Sequence, residues 1–192
     1  YVRVYSLPEY EPIVYDIPGK IEAEDFNMMS GVQVENCNDI GAGQNIGYID
    51  EGDWMTYLVD VSKSGVYLLE SRVATPQNTG QSFSVLAKNN ALVKVDVPFT
   101  NGWQTWQTVQ DTIFLFAGEQ TLRADMHAKE FNINYFEFTL LEEDVSAIMD
   151  ANHQVNQFVV YPNPVKDVLV LSALNRSLSG VEVTNAIGQI IF

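Results

Sequence analysis

Short hydrophobic runs alternate with polar turns along most of this chain. Residues 56–61 (TYLVDV) and 131–138 (FNINYFEF) alternate with a period of two, which is typical of strands that bury one face. Other runs are rich in Val, Ile, Thr and aromatic residues, and Gly, Asn and Asp separate them. No long stretch shows sustained helical periodicity. The pattern predicts an all-β protein, a jelly-roll β-sandwich with short extended tails.

The composition divides the chain into four parts. Residues 1–19 begin with a strand-like run and are then punctuated by prolines, so they are predicted to be the end of a preceding domain followed by an extended linker. Residues 20–140 hold the predicted sandwich, and residues 141–158 are polar and irregular, as expected of a second linker or a short helix. Residues 159–192 resume as strand-like runs and are predicted to be part of a further domain. The strands predicted in the sandwich are 20–23, 47–49, 54–61, 65–74, 81–88, 91–97, 105–115, 120–125 and 132–139.

The charge balance is strongly acidic. The chain of 192 residues has 25 Asp and Glu against 10 Lys and Arg, which gives a formal net charge of −15 at pH 7. Such a chain repels nucleic-acid phosphates and anionic membrane surfaces, and it has no basic run to offset the repulsion. No apolar run approaches the length of a membrane helix. We therefore expect neutral molecules, cations or basic surfaces as partners, with no nucleic acid and no membrane insertion.

Few side chains are of the kinds that bind transition metals. Cys37 is the single cysteine, which excludes an internal disulfide and a zinc site built on cysteines. His127 and His153 are far apart in the sequence and show no HxxxH or HxH spacing. These observations argue against a histidine-rich or cysteine-rich metal site.

A set of segments within residues 20–140 occurs in the order and spacing of one known family. The segments are IEAEDF (21–26), SGVQVE (30–35), NIGYIDEGDWMTYLVDV (45–61), SGVYLLESRVA (64–74), NGWQTWQTV (101–109), AGEQTLRAD (117–125) and FNINYFEF (131–138). Together they resemble carbohydrate-binding module family 6. The resemblance implies a non-catalytic jelly roll attached to a polysaccharide-degrading enzyme. It also implies two sugar sites, one in the loops at the sandwich edge and one on a concave sheet face.

Two aromatic residues near turns suit the loop site. Sugar rings present apolar C–H faces that stack on aromatic rings, while amides and carboxylates bind the hydroxyls at the rim. Tyr48 lies in a Gly-flanked segment, and Trp103 follows Asn-Gly directly. The resemblance places both at the positions that sandwich a sugar. Because Trp106 is three residues after Trp103, the two point to opposite faces of a strand, and Trp106 is predicted to be the core residue.

Polar residues are predicted to bind the sugar hydroxyls. Asn132 and Asn134 are two residues apart in a strand, so we expect them to share one face. The resemblance gives a sugar contact to Asn132. It also matches Glu35, at the end of SGVQVE, to an acidic residue that binds hydroxyls beside the loop site. The alternatives are a solvated surface carboxylate at Glu35 and a half-buried packing role for Tyr48.

Trp54 begins a predicted strand and matches the aromatic residue of the second, concave-face site. Glu70 and Arg72 lie on a neighbouring strand and are expected to complete that site. The alternative is a core position for Trp54, because tryptophan is highly buried on average.

Glu22 and Glu24 are predicted to lie on one face of the first strand. Two adjacent carboxylates repel each other unless a cation joins them, and oxygen ligands of this kind suit Ca²⁺. The resemblance implies a structural Ca²⁺ here, bound together with an acidic residue late in the module, for which Glu137 is the candidate. The alternative is a pair of solvated carboxylates.

Both ends of the chain resemble other families. YVRVY (1–5) resembles the last strand of a family 16 glycoside hydrolase, which implies an attached enzyme acting on β-1,3-glucans or marine galactans. VVYPNPVKDVLVLS (159–172), with NAIGQ (185–189), resembles part of the C-terminal sorting domain of the type IX secretion system of Bacteroidetes. This second resemblance implies a secreted or cell-surface protein.

The sequence thus predicts a monomeric, non-catalytic module that binds polysaccharide and keeps a covalently linked glycoside hydrolase at its substrate. The expected ligand is β-1,3-glucan (laminarin), with agar-type galactan or xylan as alternatives. A hydrolase fragment is a second class, since Asp50, Glu51 and Asp53 cluster in one segment and glycosidases need two carboxylates. An adhesion or structural β-sandwich with buried aromatic residues is a third.

Overall fold

The computed structural model describes residues 12–41, 43–78 and 80–144, together with residues 158–161 and 170–173. The chain divides into two units, Tyr1–Asp144 and Val145–Phe192. Within the described residues every regular element is a β-strand. No helix in this part of the chain is long and apolar enough to cross a membrane.

Two six-stranded sheets form the first unit. Sheet A contains β1 (Val14–Ile17), β3 (Met28–Ser30), β6 (Trp54–Val61), β8 (Ser82–Ala87), β9 (Asn90–Asp96) and β11 (Gly118–Met126). Sheet B contains β2 (Gly19–Glu22), β4 (Gln33–Asn36), β5 (Gln44–Gly47), β7 (Gly65–Ala74), β10 (Gln107–Leu115) and β12 (Asn132–Glu143). The order in sheet A is β1-β6-β11-β8-β9, with β3 also paired to β6, and the order in sheet B is β10-β7-β12-β5-β4, with β2 paired to β12.

Aromatic rings from both sheets meet in the core between them. Phe83 of β8 stacks on Phe131 with ring centroids 6.0 Å apart, and it meets Phe136 of β12 edge-on at 6.0 Å. Tyr57 of β6 meets Phe136 edge-on at 5.7 Å. Such contacts add to the free energy of burial and lock the two sheets face to face. The predicted all-β sandwich is confirmed.

The long strands were the easiest to predict. The strands β6 and β7 begin and end at the predicted residues, because each alternates buried and less buried positions along its length. The predicted strand at 47–49 is displaced, since β5 ends at Gly47 and the backbone of Tyr48 turns into the left-handed region with φ 55°.

Three short strands were missed. The strands β1, β3 and β4 have only three or four residues each and are mostly exposed. The strand β1 lies in the proline-punctuated part of residues 1–19, for which the sequence predicts an extended linker. It pairs in parallel with β6 and buries Ile17 completely, so sheet A begins at Val14.

The second unit contains a two-stranded antiparallel sheet. It pairs β13 (Phe158–Tyr161) with β14 (Val170–Ala173), and Phe158 lies opposite Ala173. Both strands overlap the predicted segment 159–172. The YVRVY run at 1–5 and the NAIGQ turn at 185–189 lie outside the described residues.

Candidate functional site

The loops at one end of sheet B enclose a cleft of about 610 Å³. This volume is in the usual range for small-molecule sites, about 300–1,000 Å³. The cleft is bounded by the start of β4, the segment after β5, the loop before β10 and the start of β12. Its lining residues are Gly31, Gln33, Glu35, Tyr48, Ile49, Asp50, Trp103, Gln104, Glu130 and Asn132.

Two exposed aromatic side chains belong to this cleft. Tyr48 is 64% exposed and Trp103 is 44% exposed, whereas Trp106 is half-buried. Tyr48 has a φ of 55°, a conformation that is unusual for a residue other than glycine and that occurs often at functional sites. Trp103 lies in the loop before β10, so a turn rather than strand alternation separates it from Trp106. Both predicted aromatic plates therefore line one cavity.

Asn132 connects the base of the cleft to the loop that carries Trp103. Its Nδ2 atom donates to the backbone carbonyl of Trp103 at 2.8 Å and to Oε1 of Glu35 at 2.7 Å. Asn132 is only 2% exposed, and each buried hydrogen bond of this kind is costly to lose. The amide thus fixes the position of the Trp103 loop relative to β12.

Glu35 is the centre of a hydrogen-bond network. Its Oε1 atom accepts from Asn132, from Nδ2 of Asn45 at 3.0 Å and from Nε2 of Gln104 at 3.2 Å. Gln104 also donates to Oδ1 of Asn45 at 3.1 Å and accepts from the backbone N–H of Asn38 at 2.8 Å. Among the described residues no hydrogen-bond partner is found for Oε2 of Glu35. That oxygen is available to accept from a ligand hydroxyl.

Strand pairing explains why these polar side chains meet. Glu35 of β4 lies directly opposite Asn45 of β5, and Gln33 lies opposite Gly47. A β-carbon at Gly47 would lie 2.9 Å from Cδ and Oε1 of Glu35 and 3.1 Å from Oδ1 of Asn132. Only glycine at this position lets the carboxylate and the amide approach each other over the strand.

A β-bulge interrupts β12 at Asn134, two residues after Asn132. The register of β12 against β7 shifts between Ile133 and Tyr135, which leaves Asn134 as the extra residue. Its Nδ2 atom donates to Oδ2 of Asp39 at 3.0 Å, and it does not line the cleft. Asn132 therefore lies at the cleft and contacts Glu35, whereas Asn134 lies outside the cleft lining and contacts Asp39.

An ion pair anchors the segment that follows β4. Arg72 of β7 donates from Nε to Oδ2 of Asp39 at 2.7 Å and from Nη2 to Oδ1 at 2.8 Å. The Arg72 guanidinium lowers the pKa of the Asp39 carboxyl to about 2. Because Asn38 hydrogen-bonds to Gln104, this ion pair also supports the network around Glu35.

Trp54 lies away from the cleft, on the outer face of sheet A. The guanidinium carbon of Arg123 lies 4.4 Å from the centre of its ring. Glu70 and Arg72 belong to β7, which is in sheet B. The expectation that these two residues complete a site around Trp54 is therefore wrong, because adjacent strands in sequence lie here in different sheets.

The three predicted calcium ligands are not gathered into one group. Glu22 pairs with Lys20, whose Nζ is 2.7 Å from Oε1, and Lys20 also lies opposite Glu137 across the β2–β12 pair. No group of three or more His, Cys, Asp or Glu placed to hold a metal ion occurs in the part of the chain that the structure describes. The proposed set of Glu22, Glu24 and Glu137 does not fit a shared metal.

Glu24 nevertheless fits a cation by itself. Its Oε2 atom is buried and has no hydrogen-bond partner within the described residues. Burial raises the pKa of the Glu24 carboxyl, and the negative charge of Glu22 raises it further. A buried oxygen without a partner is costly unless a cation or water satisfies it.

Sequence reasoning did not assign four residues of the site to sugar binding, although it named Asp50 in a possible hydrolase cluster. Gln104 and Asn45 complete the network around Glu35, and the carboxylates of Asp50 and Glu130 line the cleft. The signal for Gln104 is its place directly after Trp103. Glu130 is distant in sequence from the other lining segments, so only the pairing of its N–H with the carbonyl of Ile49 at 3.0 Å brings it to the site.

The family model for carbohydrate-binding module family 6 matches residues 22–140. The chain belongs to this family. The α subunit of clotting factor G from Tachypleus tridentatus is 36% identical over 125 residues, which cover 64% of this chain and 19% of that protein. The chain thus spans about a fifth of the length of this curated relative.

Two solved family 6 modules are similar in sequence and fold. The module of lichenase 5A from Cellvibrio mixtus, in complex with cellotriose, is 38% identical with a TM-score of 0.61, and the match covers 65% of this chain and 98% of that one. A β-1,3-glucan-binding module from Bacillus halodurans is 31% identical with a TM-score of 0.61, covering 66% of this chain and 98% of that one. These similarities make the first unit a carbohydrate-binding module.

Proposed function

We propose that this family 6 module binds β-1,3-glucan in the cleft lined by Tyr48 and Trp103, and that it binds without cleaving. The observation that carries the proposal is the pairing of two exposed aromatic side chains with a fixed polar base in one cavity. Aromatic rings stack on the C–H faces of a sugar, and this stacking contributes about 0.5–1.5 kcal/mol beyond the burial of area.

The polar base supplies the contacts to hydroxyl groups. Oε2 of Glu35 is placed to accept a hydroxyl proton, since the three amide donors all use Oε1. Asn132 is held by two hydrogen bonds before any ligand arrives. A site that is fixed in advance loses little conformational entropy on binding, which favours affinity.

The choice of β-1,3-glucan is supported by the Bacillus halodurans module, which is described as binding that polymer. The module in complex with cellotriose favours a second candidate, a β-1,4-linked glucan. Agar-type galactan and xylan complete the set to be tested. The proposed role is to keep a covalently linked glycoside hydrolase near its polymer, where tethering raises the effective concentration.

The proposals on secretion and on oligomeric state rest on the sequence alone. The proposal includes a secreted or cell-surface location through type IX secretion, and a module that acts as a monomer. Both are checked on the full-length protein, by fractionation of the source cells and by light scattering of the purified chain.

A second binding surface is proposed around Trp54. The Trp54 ring and the Arg123 guanidinium lie together on the outer face of sheet A, beside the exposed Met28. A sheet face has no end wall, so it accepts internal segments of a chain. Polymer binding that survives loss of Trp103 and disappears on further loss of Trp54 would support this surface.

A structural Ca²⁺ is proposed beside Glu24, since Glu22 is already paired with Lys20. Bound there, the cation would neutralise the buried carboxylate of Glu24. Glu24 lies two residues after the end of β2. The backbone N–H of the intervening Ala23 donates to the carbonyl of Asn134 in β12 at 2.9 Å. Neutralising Glu24 would therefore stabilise the junction of the first and last strands of sheet B.

The ligand is identified by calorimetric titration of the whole chain with laminari-, cello-, xylo- and agaro-oligosaccharides of matched length. The proposal expects the tightest binding with the laminari-oligosaccharide and no release of reducing sugar from any of them. If another glycan binds most tightly, that glycan replaces β-1,3-glucan as the proposed ligand. Release of reducing sugar would show that the chain is a hydrolase.

A further inference from the structure

Among the residues that the structure describes, three carboxylates and no lysine or arginine line the cleft. They belong to Glu35, Asp50 and Glu130. The hydrogen-bond network engages Glu35, whereas within the described residues the side chains of Asp50 and Glu130 have no hydrogen-bond or ion-pair partner. Lys129, next to Glu130 in sequence, is exposed and does not line the cleft. The cavity therefore carries uncompensated negative charge.

The backbone holds Asp50 at the cleft. Its N–H donates to Oδ2 of Asp53 at 2.8 Å, and its carbonyl accepts from the N–H of Asp53 at 3.2 Å. The next glycine, Gly52, donates from its N–H to the carbonyl of Met126 at 2.9 Å. These hydrogen bonds hold the turn at both ends and place the Asp50 side chain at the cleft.

Glu130 is held in the same way from the other wall. Its N–H donates to the carbonyl of Ile49 at 3.0 Å, and its carbonyl accepts from the hydroxyl of Thr75 at 2.7 Å. Its φ of 65° is unusual for a residue with a side chain, as is that of Tyr48. Two segments with left-handed backbones thus present the Tyr48 ring and the Glu130 carboxylate to one cavity.

A bound anionic sugar would meet these charges at short range. Two like charges a few ångströms apart in a partly desolvated cleft repel strongly. No cationic side chain lines the cavity within the described part of the chain. The net charge of −15 adds a repulsion of longer range, which salt screens over about 8 Å at physiological ionic strength. Rejection of wrong partners by like charge is a common means of specificity.

Resting on the proposed sugar-binding function of this cleft, we infer that Asp50 and Glu130 restrict it to uncharged glycans. Sugars that carry carboxylate or sulfate groups are excluded. Asp50 and Glu130 are thereby specificity-determining residues, and their role differs from that of the aromatic rings, which favour every sugar with an apolar face.

The test uses two probes with the same linkage and length that differ at C6 only. One is laminarihexaose, and the other is the same hexasaccharide with its C6 hydroxyls oxidised to carboxylates. Affinities for the whole chain are measured by calorimetry at low and high NaCl concentration. We expect the oxidised probe to bind at least about tenfold more weakly at low salt, with a smaller difference at high salt.

Matched variants distinguish the effect of the charges in the cleft from the effects of cleft shape and of the net charge of the chain. Asp50→Asn combined with Glu130→Gln removes two charges from the cleft with little change of shape. Glu51→Gln combined with Glu119→Gln removes two charges from exposed positions outside the cleft lining. The quantity compared is the ratio of the two affinities in each protein. The ratio should fall to less than about threefold in the first variant and stay near the wild-type value in the second.

The outcomes test the charge selectivity and the sugar-binding function separately. Equal affinity for both probes in the wild-type chain would overturn the charge selectivity while leaving sugar binding in place. A ratio unchanged in the Asp50/Glu130 variant would also overturn it, since shape alone would then explain the discrimination. Absence of binding to both probes, and to the neutral cello-, xylo- and agaro-oligosaccharides, would overturn the proposed function and this inference together.

Discussion

The side-chain amide of Asn132 and the backbone carbonyl of Trp103 are joined by a hydrogen bond of 2.8 Å. The first residue of β12 thereby holds the loop that presents the exposed tryptophan. The same amide nitrogen contacts Glu35. One buried side chain therefore determines the position of both the aromatic wall and the polar base of the cleft.

Asn132→Ala should weaken sugar binding at least about tenfold, because it frees the Trp103 loop and leaves Glu35 with fewer donors. Loss of two buried hydrogen bonds should also lower the free energy of unfolding by about 2 kcal/mol. Calorimetric titration and urea unfolding measure the two effects. Asn134→Ala is the comparison, since Asn134 contacts Asp39 rather than the cleft. Equal losses of affinity in the two variants would contradict a specific role for Asn132.

Gly47→Ala should displace the Glu35 carboxylate at the polar base of the cleft. The added methyl group would lie 2.9 Å from the Glu35 carboxylate, so the carboxylate must move, and we expect affinity to fall about tenfold. Gly118→Ala is the matched control, because Gly118 has a φ of 99° and open space around it. That control should lose about 1 kcal/mol of stability through backbone strain and bind sugar normally. Normal sugar binding by Gly47→Ala would contradict the proposed role of Glu35 in the site.

Acid should weaken the fold through Asp39. The Arg72 guanidinium lowers the pKa of this carboxyl to about 2, below the ordinary value of about 3.8. A depressed pKa in the folded state means that the stabilisation is complete above about pH 4 and is lost as the pH falls through about 2. Wild-type chain should exceed Asp39→Asn in unfolding free energy at pH 6, and the difference should shrink towards pH 2. A constant difference in urea unfolding over this range would contradict the assignment.

Removal of divalent cations should lower the melting temperature. If Ca²⁺ neutralises Glu24, EDTA leaves a buried carboxylate uncompensated, and the melting temperature should fall by several degrees. Glu24→Gln should abolish the response to EDTA, while Glu119→Gln, at an exposed position, should keep it. A wild-type melting temperature that is indifferent to EDTA and to added Ca²⁺ would remove the calcium proposal.

Sequence reasoning reached the features that depend on local pattern. The alternation in β6 and β7 predicts both strands to the residue, and the Gly-flanked Tyr48 and turn-following Trp103 are recognisable as exposed aromatics. Features that depend on pairing between distant segments could not be predicted from the sequence. The bulge at Asn134 depends on the register of β12 against β7, and the partners of Glu35 come from three other segments of the chain.

The sequence also did not predict which strands belong to which sheet. The strands β6 and β7 are separated by three residues only, yet they belong to different sheets, so Trp54 and Arg72 lie on opposite outer faces. Short edge strands such as β3 bury little apolar surface, and their pattern is too brief to show a period.

Sugar binding is proposed for the cleft between the Tyr48 and Trp103 segments. The most direct measurement is calorimetric titration of Trp103→Ala with laminarihexaose, beside Phe99→Ala. Phe99 is 48% exposed and does not line the cleft, so it controls for loss of an exposed aromatic ring. We predict that Trp103→Ala weakens binding at least about tenfold, which corresponds to about 1.4 kcal/mol, while Phe99→Ala binds as the wild type does. Wild-type affinity in Trp103→Ala would place the sugar site elsewhere and contradict the account.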